Sequence, residues 1–463
     1  MPRERPLDVP TINREHCKGC FRCVPACAHG CLEPGSEIHP VSGAVPVALD
    51  LDGCTGCGLC IDACPEPYGL VSVDPAALGD DPAPLTGFPT PAAEIPDVYL
   101  PLPSLRPMLL RGTHASAIGA LLAGCRHFFG YPITPSTEGA ELMARLLPVV
   151  GGTFVQAASE VAAVNMMYGC GGAGLRTMTF TSSPGFSLML EGISYLVGAE
   201  IPAVFVNVMR AGPGLGNIGP EQGDVKLTCR GLGHGNTHAP VLAPASPQEM
   251  LDLTVLAFEL AFRYRTPVVV LADGHLGQMA GRVSLPAAQV HPGLPAWAVW
   301  GDAAHRRNVM TSIYLREVDQ EAHNLRLIEK YQRIAAAEQR AELHRCHDAD
   351  TLVVACNTPA GAARGAVEAL RAEGVPVGLF RPLTLWPFPI RQLQPLLEHA
   401  RRILVVEASD GQLEDELRLA LSHARLGADL DIAHVRHYGG VLPSLDEVVA
   451  AVRSMTAREA VAA

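Results

Sequence analysis

Basic side chains are in short supply in this sequence: 35 lysines and arginines face 47 aspartates and glutamates, leaving a formal charge of −12. Phosphate backbones bind basic surfaces, so nucleic acid is disfavoured as a partner. No apolar run reaches the roughly 18 residues a membrane-spanning helix needs. Even the stretch from Ile193 to Met209 is broken by Glu200 and Pro202. The opening segment, Met1 to Pro10, is charged and proline-rich without an apolar stretch, so it does not read as a secretory signal. The cytoplasm is the expected address. Core material is plentiful: 48% of the 463 residues are hydrophobic, and the length suits about three domains at ~150 residues each.

Cysteine is abundant but uneven. Nine of the fourteen lie between Cys17 and Cys64. In a chain of this length such clustering reads as metal ligation, not as a disulfide framework. Cys17, Cys20, Cys23 and Cys27 have the spacing C-x2-C-x2-C-x3-C, and Cys54, Cys57, Cys60 and Cys64 repeat it, with Pro65 following. This is the run that holds two 4Fe–4S clusters, the fourth cysteine of each motif serving the other cluster. Cluster one is therefore expected on Cys17, Cys20, Cys23 and Cys64, and cluster two on Cys54, Cys57, Cys60 and Cys27. Zinc sites usually pair two C-x2-C motifs across a longer loop, so three cysteines within seven residues argue against zinc. Cys27 is followed by Ala28 where proline is usual, and Cys31 has no place in the scheme beyond that of a buried thiol.

Nine prolines among residues 75–107 predict an extended linker after this head. From Met108 the pattern becomes apolar strands alternating with helices. Strands are expected at Thr153–Gln156, Thr177–Thr181, Ala203–Val208 and Pro267–Leu271, and helices at Ser159–Gly171, Phe186–Val197 and Pro247–Phe262. Ser246 and Glu249 have capping-box spacing before the last of these. The alternation argues for a doubly wound parallel sheet. Residues 308–345 read as one long amphipathic helix with Met310, Tyr314, Val318, Leu325, Ile328 and Tyr331 along one face. A second α/β unit follows, with strands at Thr351–Ala355, Val377–Phe380 and Arg402–Val406 and helices at Pro359–Glu373 and Asp410–His423. The expected divisions are 1–74, 75–107, 108–286, 287–347 and 348–463.

Three motifs mislead. Gly214-Leu-Gly216-Asn-Ile-Gly219 satisfies GxGxxG, but Pro213 and Pro220 bracket it and no helix opens there to receive a pyrophosphate. Asp273-Gly274 is similar to part of a thiamine diphosphate motif, yet the partner asparagine is missing. His344, Cys346 and His347 read as a surface group at an element's end.

Several segments together resemble one family. They are Gly130-Tyr-Pro-Ile-Thr-Pro-Ser136, Ala158-Ser-Glu160-Val-Ala-Ala163, Thr181-Ser-Ser-Pro-Gly-Phe-Ser187, Val208-Met-Arg210-Ala-Gly-Pro-Gly-Leu-Gly216 and Arg381-Pro-Leu-Thr-Leu-Trp-Pro-Phe-Pro389. The chain resembles the alpha subunit of 2-oxoacid:ferredoxin oxidoreductases, the 2-oxoisovalerate (branched-chain) type above all, over roughly Leu109 to Val449. The head is similar to that family's delta, ferredoxin-type subunit. The resemblance implies an α/β fold: a doubly wound thiamine-pyrimidine-binding domain, then a transketolase C-terminal-like domain, preceded by a small α+β ferredoxin-like domain. It also implies the reaction, in which a 2-oxo acid and coenzyme A give an acyl-CoA and carbon dioxide while two electrons leave singly.

By the same resemblance Glu160 is the carboxylate that hydrogen-bonds the thiamine ring, Arg210 binds the substrate carboxylate, and Thr134 offers its hydroxyl to the oxo acid. Pro132, Ile133, Ser183, Pro184 and Gly185 would line the cofactor. Ser183 stands where the family often has glycine, and Gly231-Leu-Gly-His-Gly-Asn-Thr-His238 departs from its usual loop; both bear on substrate identity. The chain lacks a magnesium-binding motif for the diphosphate. A beta subunit is therefore expected to share thiamine diphosphate and Mg2+, a gamma subunit to bind coenzyme A, and ferredoxin or another acceptor to take the electrons, in a dimer of heteromers. Aryl 2-oxo acids such as phenylglyoxylate, 2-oxoglutarate and pyruvate are the alternative substrates. A lipoamide- or NAD-linked dehydrogenase half would have no use for the head. A non-catalytic electron-transfer scaffold would have no need of Glu160, Thr134 and Arg210 together.

Overall fold

The computed structural model describes residues 9–39, 44–66, 69–72, 94–302, 304–305 and 308–462, without the side chains of 458–462. Two compact units divide the chain, Met1–Thr90 and Pro91–Ala463. In the first, strand Pro10–Ile12 pairs antiparallel with Leu70–Ser72, and Leu32–Pro34 with Val47–Leu49. Short helices Cys23–Ala26 and Leu59–Asp62 follow the two cysteine loops. Each loop turns through two left-handed residues, Gly19 and Phe21 in one, Gly56 and Gly58 in the other. Gly19 admits no side chain, because a Cβ there would stand 2.5 Å from the Val45 carbonyl oxygen.

The second unit is built on two sheets. The larger has seven strands, in the order Thr384–Trp386, Val241–Leu242, Pro267–Asp273, Ala203–Met209, Thr177–Thr181, His127–Gly130, Thr153–Gln156. Only Thr384–Trp386 runs antiparallel. The central strands Ala203–Met209 and Pro267–Asp273 are buried along their whole length, as both-face coverage by helices demands. Because these strands are parallel, the segments 131–136, 157–160, 182–185 and 210–220 all leave one edge of the sheet, the edge where open α/β sheets bind ligands. The smaller sheet orders Ala341–His344, Val377–Pro382, Thr351–Val354, Arg402–Glu407 and Asp431–Arg436, with Ala341–His344 antiparallel.

Two buried ionic groups join the sheets. Asp273, fully buried, accepts from the His275 and Leu276 amides at 3.0 Å each and caps helix Gly274–Gln278. The same carboxylate accepts from the Thr358 hydroxyl at 2.7 Å and the Thr358 amide at 2.8 Å. Asp273-Gly274 is thus a structural clamp. Arg381 donates to both oxygens of Glu249, at 2.9 and 2.5 Å, and to Glu342 at 2.6 Å. The Glu249 amide meets the Ser246 hydroxyl at 3.2 Å, as the capping box requires.

Several expectations change. The long helix runs only from Glu317 to Ala337. It starts after Arg316, which is extended, and ends at Glu338, whose buried carboxylate accepts from Arg263, Tyr264 and Arg340. Its inner face is His323, Leu327, Lys330, Tyr331 and Ile334. Val318, Leu325 and Ile328, assigned to the apolar face with Tyr331, are exposed. Lys330 lies inside because Glu200 and the Arg265 carbonyl both accept from it at 3.0 Å. The linker segment as far as residue 93 lies outside the described residues. Beyond it, Val98–Pro101 pairs with Ala288–His291, and Met108–Arg111 with Ala280–Val283, so both flanks of the expected 108–286 division belong to one unit. Strand Asp431–Arg436 and helix Leu445–Ala462 were not anticipated.

Removing one partner from a buried ion pair leaves the other uncompensated, so Arg381→Met should cost about 3 kcal/mol, at the low end for such losses, read as a lower urea midpoint. Burial raises the Glu342 carboxyl, but Arg364 and Arg381 outweigh it and hold it below the ordinary glutamate range. Its contribution is therefore present above that range and is lost as pH falls through the depressed value. The gap between variant and wild type should narrow accordingly in acid.

Candidate active site

Glu160 opens helix Glu160–Gly172, and Ser159 caps it by accepting from the Ala162 amide at 3.2 Å. The glutamate is only 5% exposed, and among the described residues no cation pairs with it. It lies against the first turn of the next helix, Ser183–Gly198. A Cβ on Gly185 would stand 2.5 Å from Oε1 of Glu160 and 2.5 Å from Oγ1 of Thr181. Thr181 Oγ1 and Ser182 Oγ are buried with no hydrogen-bond partner among the described residues. Unsatisfied buried hydroxyls beside a buried carboxylate suit a polar ring from outside the chain.

Arg210 leaves the end of strand Ala203–Met209. Its amide donates to the Ser183 hydroxyl at 3.1 Å. Its guanidinium donates to the Thr134 carbonyl at 3.0 Å and the Leu215 carbonyl at 3.1 Å, while Nε is buried without a partner. Thr134 is therefore brought to Arg210, through its backbone; its side chain is exposed, and the Thr134–Pro135 peptide is cis. Pro132 is exposed and Ile133 half-buried in the same turn, where the Ile133 carbonyl accepts from Ser136 Oγ at 2.8 Å.

The glycine-rich segment after Arg210 is a closed loop. Arg210 and Pro220 form an isolated bridge, and the Ala211 amide donates to the Gly219 carbonyl at 3.0 Å. A Cβ on Gly216 would collide with the Ala211 carbonyl oxygen. Asn217 donates to the Gly439 carbonyl at 3.0 Å, anchoring the loop on the C-terminal part of the unit. The first helix beyond it begins at Val225, so no pyrophosphate cradle forms here.

Two acidic residues at this site escaped the sequence reading. Glu221 accepts from the Gly212 amide at 2.8 Å, and Asp224 accepts from Asn207 at 2.9 Å. Burial pushes the Asp224 carboxyl above the ordinary aspartate range, against opposing hydrogen bonds from Ser183 and Asn207. Both line a cleft of about 440 Å³ with Ser183, Arg210, Ser409 and Tyr438. Neither follows a motif; only the tertiary fold brings them beside Arg210. His344, Cys346 and His347 do not converge, since His344 pairs with Glu368 at 2.6 Å and Cys346 is buried against the Leu379 carbonyl at 3.1 Å.

In the first unit all nine thiols are free. Burial pushes Cys23 up to about 11, and Cys64, Cys17 and Cys20 add to the shift. Burial likewise raises Cys60, with Cys27 and Cys54 adding. Each of these two buried thiols thus feels sulfur of its own motif and one sulfur of the other. Soft sulfur donors in this number fit iron–sulfur clusters.

Comparison with known proteins places these features. Residues 118–343 match the thiamine diphosphate-binding domain of pyruvate flavodoxin/ferredoxin oxidoreductase, residues 349–448 match pyruvate:ferredoxin oxidoreductase core domain II, and residues 16–67 match the 4Fe–4S dicluster domain. Ketoisovalerate oxidoreductase subunit VorB of Methanothermobacter thermautotrophicus is 49% identical over 348 residues, 75% of this chain and 97% of the relative. The chain belongs to the 2-oxoacid:ferredoxin oxidoreductase family. Within that family, 2-oxoglutarate synthase subunit KorA of Methanocaldococcus jannaschii is 35% identical over 74% of this chain and 98% of its own. A solved 2-oxoglutarate:ferredoxin oxidoreductase from Magnetococcus marinus, with 2-oxoglutarate, coenzyme A and succinyl-CoA bound, superposes with a TM-score of 0.68 at 26% identity. That match covers 75% of this chain and 65% of the solved one. As an oxidoreductase subunit the chain carries a thiamine diphosphate-binding domain and a 4Fe–4S dicluster domain, and its relatives are themselves named as subunits. Among the described residues no helix is long and apolar enough to cross a membrane.

Gly185→Ala puts a methyl group where the Glu160 carboxylate stands. Misplacing a catalytic group by about 1 Å can cost about 100-fold, and 2-oxo-acid-dependent activity of the assembled oxidoreductase should fall by that order. Unchanged activity would show that Glu160 need not occupy this position.

Proposed function

We propose that this chain is the alpha subunit, with a fused delta-type ferredoxin head, of an enzyme that oxidises a branched-chain 2-oxo acid with coenzyme A. The products are an acyl-CoA, carbon dioxide, a proton and two electrons, the electrons leaving singly through two 4Fe–4S clusters to ferredoxin or a similar acceptor. A beta subunit supplies the Mg2+–diphosphate half of the cofactor site, and a gamma subunit carries coenzyme A. The assembly is a dimer of heteromers in the cytoplasm. What carries this reading is the convergence of Glu160, Gly185, Ser183, Arg210 and Thr134 at one sheet edge.

Thiamine diphosphate, when bound, supplies a carbon nucleophile and a sink for the electrons left by decarboxylation. Glu160 holds a proton shared with the cofactor's pyrimidine ring and so selects its reactive tautomer. Thr181 and the Gly185 backbone flank that carboxylate, and Pro132, Ile133, Ser183 and Pro184 would line the cofactor. Arg210 keeps its guanidinium in place through the Thr134 and Leu215 carbonyls and turns its remaining N–H groups to the substrate carboxylate. The Thr134 hydroxyl donates to the oxo group. In the head, Cys17, Cys20, Cys23 and Cys64 hold one cluster, and Cys54, Cys57, Cys60 and Cys27 the other.

The branched-chain preference draws on the likeness to the ketoisovalerate subunit and on the Arg210 loop. Leu215 and Ile218 are 82% and 62% exposed on that loop, and from Ala211 to Pro220 it carries no cation. A second substrate carboxylate, as in 2-oxoglutarate, would meet Glu221 and Asp224, which line the same cleft.

A substrate panel on the co-purified complex tests this reading. 2-Oxoisovalerate and its homologues should give the highest kcat/KM for viologen reduction, with 2-oxoglutarate, pyruvate and phenylglyoxylate below them. Paired Leu215→Ala and Ile218→Ala substitutions should lower that preference over pyruvate about ten-fold, the scale of lost methylene contacts. The chain by itself should be silent, and Glu160→Ala should abolish turnover in the complex. A complex indifferent to Glu160→Ala would reduce this unit to a scaffold.

A further inference from the structure

Two four-iron clusters need eight thiolates, and the head has nine cysteines. The ninth, Cys31, is not remote from the others. It is buried, 3% exposed, and it lines one small cavity together with Cys27, Cys54, Cys57 and Cys60. Five cysteines therefore line a space where the ligand scheme uses four. The Cys31 amide donates to the Cys27 sulfur at 3.4 Å. On the far side, a Cβ on Gly53, the residue before Cys54, would lie 3.7 Å from the Cys31 sulfur, an ordinary contact. Cys31 is thus wedged between the two loops that deliver Cys27 and Cys54.

The segment joining Cys27 to Cys31 is a short turn. The Gly30 amide donates to the Cys27 carbonyl at 3.3 Å, and Gly30 has φ +67° with open space around its Cβ position. Such a turn needs little rearrangement to exchange which of its two sulfurs binds iron. Cys27 is half-buried and Cys31 buried, so a diffusing oxidant meets Cys27 first. The other half of the head has no counterpart. The offset that carries Cys17 to Cys54 and Cys27 to Cys64 carries Cys31 to Tyr68.

We propose that Cys31 is a reserve ligand of the second cluster, able to replace Cys27 beside Cys54, Cys57 and Cys60. The inference rests on the eight-thiolate reading given above. The exchange needs no redox partner: Cys31 sulfur gives up its proton as it binds iron, and Cys27 sulfur takes one up as its bond to iron breaks. A soft thiolate in the vacated position preserves the cluster where water would not hold it as firmly.

Iron and acid-labile sulfide, counted per full-length chain after anaerobic preparation, test this without any activity assay. Wild type and Cys31→Ala should each hold close to eight iron, the content of two 4Fe–4S clusters. Cys27→Ala should keep that content and the magnetic-resonance signature of two reduced clusters. The double variant Cys27→Ala/Cys31→Ala should drop about two-fold in iron, as should Cys64→Ala, whose cluster has no spare thiol. Should Cys27→Ala fold poorly, the bulkier, non-ligating Cys27→Val paired with Cys27→Val/Cys31→Ala carries the same contrast. Equal losses in Cys27→Ala and the double variant would overturn the proposal, as would iron loss in Cys31→Ala alone or full retention in Cys64→Ala. A wild-type chain without iron would instead sink the eight-thiolate reading itself.

Discussion

The site depends on one close approach, between the carboxylate at the start of helix Glu160–Gly172 and the bare backbone at Gly185. A buried carboxylate is costly unless something satisfies it. Two helices begin side by side here because their strands are parallel, so both N-termini project from one sheet edge. Glycine leaves room for the Glu160 oxygen, and the neighbouring hydroxyls of Thr181 and Ser182 stay without partners among the described residues. The arrangement makes chemical sense once a polar ring completes it, and the thiamine diphosphate-binding domain of this family provides for one.

Around that contact the chain invests in rigidity. Arg210 is fastened at its backbone by Ser183 and at its side chain by two carbonyls. Its loop is closed on itself and tied by Asn217 to Gly439. Deeper down, Asp273 and Arg381 bind the two sheets through Thr358, Glu249 and Glu342. Interactions of this kind contribute less to net stability than to a single arrangement, since burying each charge offsets much of its attraction. A guanidinium held by two carbonyls has little freedom left to lose when it engages a ligand.

Features set by local spacing were legible in the residues. The two cysteine runs stand out because each packs three cysteines into seven residues, and the buried strands stand out as apolar runs. Ser159 and Glu160 were legible through the family's motif. Other features exist only in three dimensions. Asp224 and Glu221 carry no motif and reach Arg210 by folding. Asp273-Gly274 looked like a cofactor signature fragment but became a clamp once Thr358 arrived from the other sheet. The helix at Glu317–Ala337 misled for an electrostatic reason: Lys330, which polarity places outside, is drawn in by Glu200. That leaves Val318 and Leu325 on the outside. The carbonyl of Thr134, not its hydroxyl, is what the fold ties to Arg210.

Under the proposed function, one polypeptide contributes both half of a decarboxylation site and the first relay for its electrons. Rapid mixing of the anaerobic complex with 2-oxoisovalerate and coenzyme A, frozen at intervals and followed by electron paramagnetic resonance, addresses this directly. Signals of reduced 4Fe–4S clusters that vanish when the head's cysteines are replaced should grow in step with carbon dioxide release. Carbon dioxide and acyl-CoA formed at full rate while those clusters stay oxidised throughout would contradict it.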